Sequence, residues 1–178
     1  MDKSKAVQEW QKMSDETMEG MGEWREQNSK ATLREIEKAL NERIMKLRAK
    51  VLEEAAQLSE MRTWTESEDI SVCPDCKKAL EFRVRSKREL QTQGGHNIEL
   101  EREYGICPKC GQGFFPLDEE LELLSGKLTP HAHECLIRFG TIMAFAKAAK
   151  ELEFVLKVGV SEPTARRYVE AAGKAYEA

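Results

Sequence analysis

The sequence predicts a mainly α-helical protein that carries one small β zinc ribbon, and three observations lead there. Two Cys-x-x-Cys knuckles, Cys73-Pro74-Asp75-Cys76 and Cys107-Pro108-Lys109-Cys110, stand thirty residues apart with two alternating apolar and polar runs between them. Before the knuckles, apolar residues fall at steps of three and four, the stripe of a long helix; after them, three further stretches keep helical spacing. The 178 residues, 40% apolar and 34% charged, suit a modular, helix-rich chain better than one large core. Three segments follow: a helical or coiled-coil part over 1–70, the ribbon and its base over 71–125, and a helical region with a helix-turn-helix over 126–178.

In the first segment, Leu33, Ile36, Leu40, Ile44, Leu47, Val51, Ala55 and Leu58 share one narrow seam. Thr32 with Glu35 makes a capping box, and no Gly or Pro interrupts the run, so the helix should extend about 38 Å at ~1.5 Å per residue. Such a seam needs a partner: the preceding residues, the ribbon, or the same helix of a second copy in a coiled-coil homodimer. Residues 1–30, with Trp10, Met13, Met18, Met21 and Trp24, can supply the internal partner, with a break expected at Gly20 and Gly22.

In the second segment, each knuckle presents two sulfurs on one side, and a tetrahedral site at about 2.3 Å per Zn–S bond needs two such turns. Cys73, Cys76, Cys107 and Cys110 are therefore the predicted ligands of one structural Zn²⁺, a closed set with no position left for substrate. Disulfides or a dithiol redox pair fit two matched knuckles less well in a chain with no secretory segment. Between the knuckles, Phe82 and Val84 alternate with Arg83, Arg85 and Lys87, and Ile98 to Ile106 alternates with Glu99, Glu101 and Glu103. A three-residue turn, Gly94-Gly95-His96, would set Leu90 opposite Leu100, Thr92 opposite Ile98, Val84 opposite Ile106 and Lys87 opposite Glu103. The Arg83, Arg85 and Lys87 stripe has two readings, a phosphate contact or cross-strand ion pairs with the glutamates. Phe114 to Leu117 should pack on the ribbon base, and Asp118 to Glu122 reads as a solvated acidic turn.

In the third segment, Thr129-Pro130 is an N-cap followed by proline at the first helical position, opening a helix expected to stop near Gly140. His131, His133 and Cys135 alternate, but two-residue spacing spreads them around a helix, so the histidines read as surface residues and Cys135 as a small buried apolar one. Residues 141–178 read as two helices. Phe145, Ala148, Ala149, Leu152 and Leu156 form one inward face, Lys157 to Val160 turn with Gly159 suited to the bend, and Ser161 caps the next helix. Val160, Ala165 and Val169 face inward; Ser161, Thr164, Arg166, Arg167 and Lys174 are the candidate DNA contacts, residue types that meet phosphates and base edges.

The net charge of −4 argues against wholesale coating of nucleic acid. The ribbon, 71–112, carries 8 Lys/Arg against 6 Asp/Glu, and 141–178 carries 6 against 5, so DNA binding would be weak and salt-dependent on charge alone. No run approaches ~18 apolar residues and the start is polar, so the expectation is a cytoplasmic, nucleoid-associated protein with no membrane and no small-molecule substrate.

Gln91-Thr92-Gln93-Gly94-Gly95, Glu101-Arg102-Glu103-Tyr104, Cys107 to Gly111, Phe114-Phe115-Pro116-Leu117-Asp118-Glu119-Glu120 and Val160 to Arg167 together resemble the N-terminal region of bacterial insertion-sequence transposases of the ISKra type. The resemblance covers about residues 31–178. It implies a DNA-binding part that recognises double-stranded transposon ends and, in such proteins, precedes a catalytic domain of ribonuclease-H type. These residues offer neither the βαβ pattern nor the dispersed carboxylates of that domain, so the chain is expected to recognise DNA without cutting it. Two other readings stay open: a zinc-stabilised protein-assembly module, and a truncated product that regulates a full transposase.

Overall fold

The computed structural model describes residues 3–67 and 71–177, so the expected joint at residue 70 lies outside the described residues. The chain begins with a helical hairpin, α1 (Lys3–Gln27) and α2 (Leu33–Gln57). Thr32 caps α2 as expected: its backbone N–H donates to Glu35 Oε2 at 2.7 Å while the Glu35 N–H reaches back to Thr32 Oγ1. α1 runs unbroken through Gly20 and Gly22, which corrects the expected break. A helical glycine costs only about 1 kcal/mol, and α1 is held along its length, from Trp10 Nε1 donating to Glu54 at 2.8 Å to Gly20 lying close to Arg43. The buried residues of α2 are Ala39 and Ala49, neither of them in the predicted seam.

A short 3-10 turn (Glu60–Thr63) leads to the antiparallel sheet, β1 (Glu81–Thr92), β2 (His96–Ile106) and β3 (Gly113–Phe114), in that order across the sheet. The turn does hold three residues, but they are Gln93-Gly94-Gly95, one position earlier than expected, with both glycines at positive φ. The pairing is therefore Leu90 with Ile98, Val84 with Tyr104, Arg85 with Glu103 and Lys87 with Glu101. A shift of two residues preserves the faces and changes every partner. Arg83 is the extra residue of a bulge between Phe82 and Val84. Leu90, Ile98 and Leu100 form a core with Ala49, Leu52 and Ala56 of α2, but Phe82 and Val84, toward the other end of that face, are exposed.

Phe115 and Pro116 open a single helical turn, α3 (Pro116–Glu120), with Leu117 fully buried. Three helices follow, α4 (Pro130–Ile142), α5 (Phe145–Leu156) and α6 (Glu162–Glu177), around their own core of Leu128, Leu136, Leu152, Val158, Ala165 and Tyr168. α4 ends at Ile142, two residues past Gly140; a Cβ at Gly140 would lie 2.4 Å from Val169 Cγ2, so the glycine is a contact point for α6. In the α5–α6 turn the left-handed residue is Lys157, at φ 58, and not Gly159. The hairpin tip seats on this bundle: Gly94 N–H donates to Leu156 O at 2.8 Å and Gln91 N–H to Lys127 O at 2.7 Å.

Candidate metal centre and nucleic-acid interface

The two knuckles are built alike, residue for residue. In the first, Cys73 N–H donates to Lys78 O and Lys77 N–H to Cys73 O; in the second, Cys107 N–H donates to Gln112 O and Gly111 N–H to Cys107 O. The fourth residue after each leading cysteine, Lys77 or Gly111, takes positive φ (56 and 75), which turns the chain back on itself. Each knuckle is closed by a strand pair at matching positions, Val72 with Ala79 and Ile106 with Gly113. The result brings all four Sγ atoms within 4.8 Å of one another. Tetrahedral bonds of ~2.3 Å require sulfurs about 3.8 Å apart, and the contacts Cys73–Cys110 at 3.7 Å and Cys76–Cys110 at 3.9 Å meet that, with Cys76–Cys107 tighter at 3.2 Å.

The four cysteines can thus hold one metal ion. Backbone N–H groups of Cys110 and Lys109 bring the Cys107 thiol down to about 6, favouring the thiolate that ligation needs, whereas hydrogen bonding to Cys107 pushes Cys76 up to about 12. Cys73 and Cys107 are buried against Trp64, Leu80 and Phe114, so the centre is also the core of its own small cluster.

A second polar network braces this cluster, and its signal in the sequence was weak. Glu103 is buried; its Oε1 accepts from Arg85 Nη2 at 2.7 Å and its Oε2 from the N–H and hydroxyl of Thr65 at 3.1 and 2.9 Å. Burial alone would raise its pKa, but these donors outweigh it and hold the carboxyl below its ordinary value. Trp64 Nε1 donates to the Glu103 carbonyl. The basic stripe forms ion pairs: Arg83 pairs with Glu81 at 2.9 Å, Arg85 with Glu103, and Lys87 with Glu99 at 2.7 Å, all three basic side chains staying half-exposed.

Asp118 does not sit in a solvated turn. Its Oδ2 accepts from both Arg88 Nη1 and Arg102 Nη1, and the Arg102 guanidinium also stacks 3.7 Å over the Phe115 ring. Arg88 Nη2 further donates to the carbonyls of Leu124 and Gly126, fastening the link between ribbon and bundle. His133 is likewise buried, edge-on to Tyr168 with ring centroids 4.9 Å apart, which corrects the surface reading; burial holds its pKa below the ordinary histidine value. His131 is exposed and Cys135 half-buried at the edge of the helical core.

On α6, Ser161 caps the helix, its Oγ accepting from Thr164 N–H at 3.3 Å. Arg166, Arg167 and Lys174 are exposed and Thr164 half-exposed, while Ala165 and Tyr168 on the opposite side are buried. Arg166 makes a loose 3.6 Å pair with Glu162 and lies over Phe145; Arg167 lies over its neighbour Tyr168. Among the described residues no helix is long and apolar enough to cross a membrane. Comparison with protein-family models, with curated proteins and with solved structures finds no match to this chain.

Proposed function

We propose that this chain is a DNA-recognition module of transposase type, in which one structural Zn²⁺ closes the ribbon and α6 contacts transposon-end duplex. The observation that carries the reading is the presentation of α6. Ser161, Thr164, Arg166 and Arg167 gather on its first two turns, and the same turns are anchored from behind by Ala165 and Tyr168 in the bundle core. Side chains carried on a packed helix in this way can enter a major groove with no backbone left to order, with Arg able to pair bidentately with guanine. The resemblance to the ISKra-type region supports the same assignment, since Val160 to Arg167 is one of the stretches that carries it.

The hairpin mainly contributes position in this reading: Arg83, Arg85 and Lys87 each pair with a carboxylate, and any phosphate contact they made would compete with those pairs. Zinc is favoured by the donor set: four thiolates in tetrahedral spacing suit Zn²⁺, and a closed set gives it a folding role. The Asp118 carboxylate is committed to structure in this reading, since Arg88 and Arg102 both hold it. The test is amide chemical-shift mapping of the zinc-loaded protein against transposon-end duplex. Perturbations concentrated on residues 161–168 are expected; perturbations on the 83–87 stripe with α6 silent would reverse the assignment.

A further inference from the structure

The helical hairpin keeps an apolar face that the described residues cover only in part. α2 meets α1 on the side of Arg43 and Glu54, and meets the β-hairpin on the side of Met45, Ala49 and Leu52. The remaining side carries Leu33, Leu40, Ile44, Val51 and Ala55. Leu33 is 72% exposed, Leu40 and Ala55 are also exposed, and Ile44 and Val51 are half-buried. These positions repeat every eleven residues (33, 44, 55; 40, 51), and eleven residues make just over three full turns, so the row stays on one side of the helix throughout.

α1 extends the face. Met13, Glu16 and Gly20 border the groove toward His96 and Asn97 of the β-hairpin. At about 100° per residue, Val7 and Met18 lie roughly opposite that side of α1, next to the open row of α2. Both are about half exposed, at 47% and 51%. Glu9, Lys12, Glu19 and Glu23 of α1 fall on its other sides, while Arg25 lies at the end of the strip. A charge-poor, apolar strip on an otherwise highly charged helical pair is the composition of an interface core.

We infer that this face binds a second copy of the chain, with the two α2 helices antiparallel about a twofold axis between Leu40 and Ile44. That register sets Leu33 against Val51 and Leu40 against Ile44 of the second copy, so the apolar row is its own complement. It also brings Glu37 opposite Arg48, the charges nearest the strip on the side away from α1; Arg48 is half-buried and gives one guanidinium N–H to Thr92 at 2.8 Å, which leaves its other N–H groups for Glu37 of the second copy. Two helices about 10 Å wide and ~37 Å long offer on the order of 700 Å² per copy, near the ~800 Å² of a standard stable interface. The inference does not depend on DNA recognition.

Sedimentation of the full, metal-loaded chain without DNA tests it. The expected mass is twice 20.3 kDa. Leu33→Glu with Leu40→Glu, both at exposed positions, should raise the dimer Kd by about 100-fold or more with the circular dichroism spectrum unchanged. Glu37→Arg should weaken the dimer about tenfold, and adding Arg48→Glu should restore it. A wild-type monomer at ~100 μM, or a dimer indifferent to the leucine changes, would overturn the inference. A dimer sensitive to the leucines but not rescued by the charge exchange would overturn the antiparallel pairing.

Discussion

Removing the Asp118 carboxylate is expected to destabilise the protein far more than an acidic surface turn would allow. Arg88, Arg102 and Asp118 retain only 13%, 11% and 14% side-chain exposure, and one carboxylate oxygen serves both guanidinium groups. Burial and the neighbouring Arg88 hold the Arg102 pKa below its ordinary value despite Asp118, so the cluster already carries a surplus cation. Asp118→Ala leaves two adjacent, largely desolvated cations with no counter-charge, and breaking a buried pair costs about 3–5 kcal/mol. Arg102→Met is the informative contrast. It removes the surplus cation, keeps an apolar contact on Phe115, and leaves Arg88 paired with Asp118, so its cost should stay below about 1.5 kcal/mol. Urea unfolding of the metal-loaded protein, followed by tryptophan fluorescence, measures both. A loss under ~1 kcal/mol for Asp118→Ala, or equal losses for the two variants, would refute the reasoning, because either result means the cluster is solvated and not a shared buried charge.

Three further outcomes are expected. Chelation of the bound metal should release the Trp64 cluster, seen as loss of near-ultraviolet circular dichroism, while most far-ultraviolet helix signal remains, because α4, α5 and α6 have a separate core. Gly140→Ala should cost about 1–3 kcal/mol through overpacking against Val169, and Val169→Ala in the same chain should recover much of it, as a double-mutant cycle would record. His133 should make the protein less stable as pH falls through the ordinary histidine range. Its folded pKa is depressed, so the unfolded chain takes up the proton first and the stability present above about pH 6.5 is lost below it. His133→Phe should flatten that part of the stability profile measured by thermal melts from pH 7.5 to 5.5.

What was legible in the sequence follows the range of the interactions. The knuckles could be read because ligand spacing is local: two cysteines three apart on one turn already commit both sulfurs to one side. The long helix and its capping box were equally local, as were the inward faces of α5 and α6. The seam was legible as a helical stripe, but the residues α2 buries inside the chain were not, because those contacts use small residues, Ala39 and Ala49, where neighbours approach closely. The hairpin register slipped because either of two positions can begin a turn containing Gly94-Gly95, and which one does so is decided by the seat of Gly94 against Leu156 and Met45. Asp118 and His133 escaped notice for a common reason: their partners, Arg88, Arg102 and Tyr168, lie 16 to 35 residues away in the chain. The arginine in the otherwise apolar alternation of β2 was the available clue to the first.

The most direct test of DNA recognition by α6 is fluorescence anisotropy of the zinc-loaded protein with transposon-end and scrambled duplexes over a salt series. Preference for the end sequence is predicted, falling with salt. Arg166→Ala with Arg167→Ala should weaken binding by about 1–3 kcal/mol for each arginine that pairs with a base edge, with the fold intact. Equal affinity for both duplexes, or binding that ignores the removal of both arginines, would contradict it.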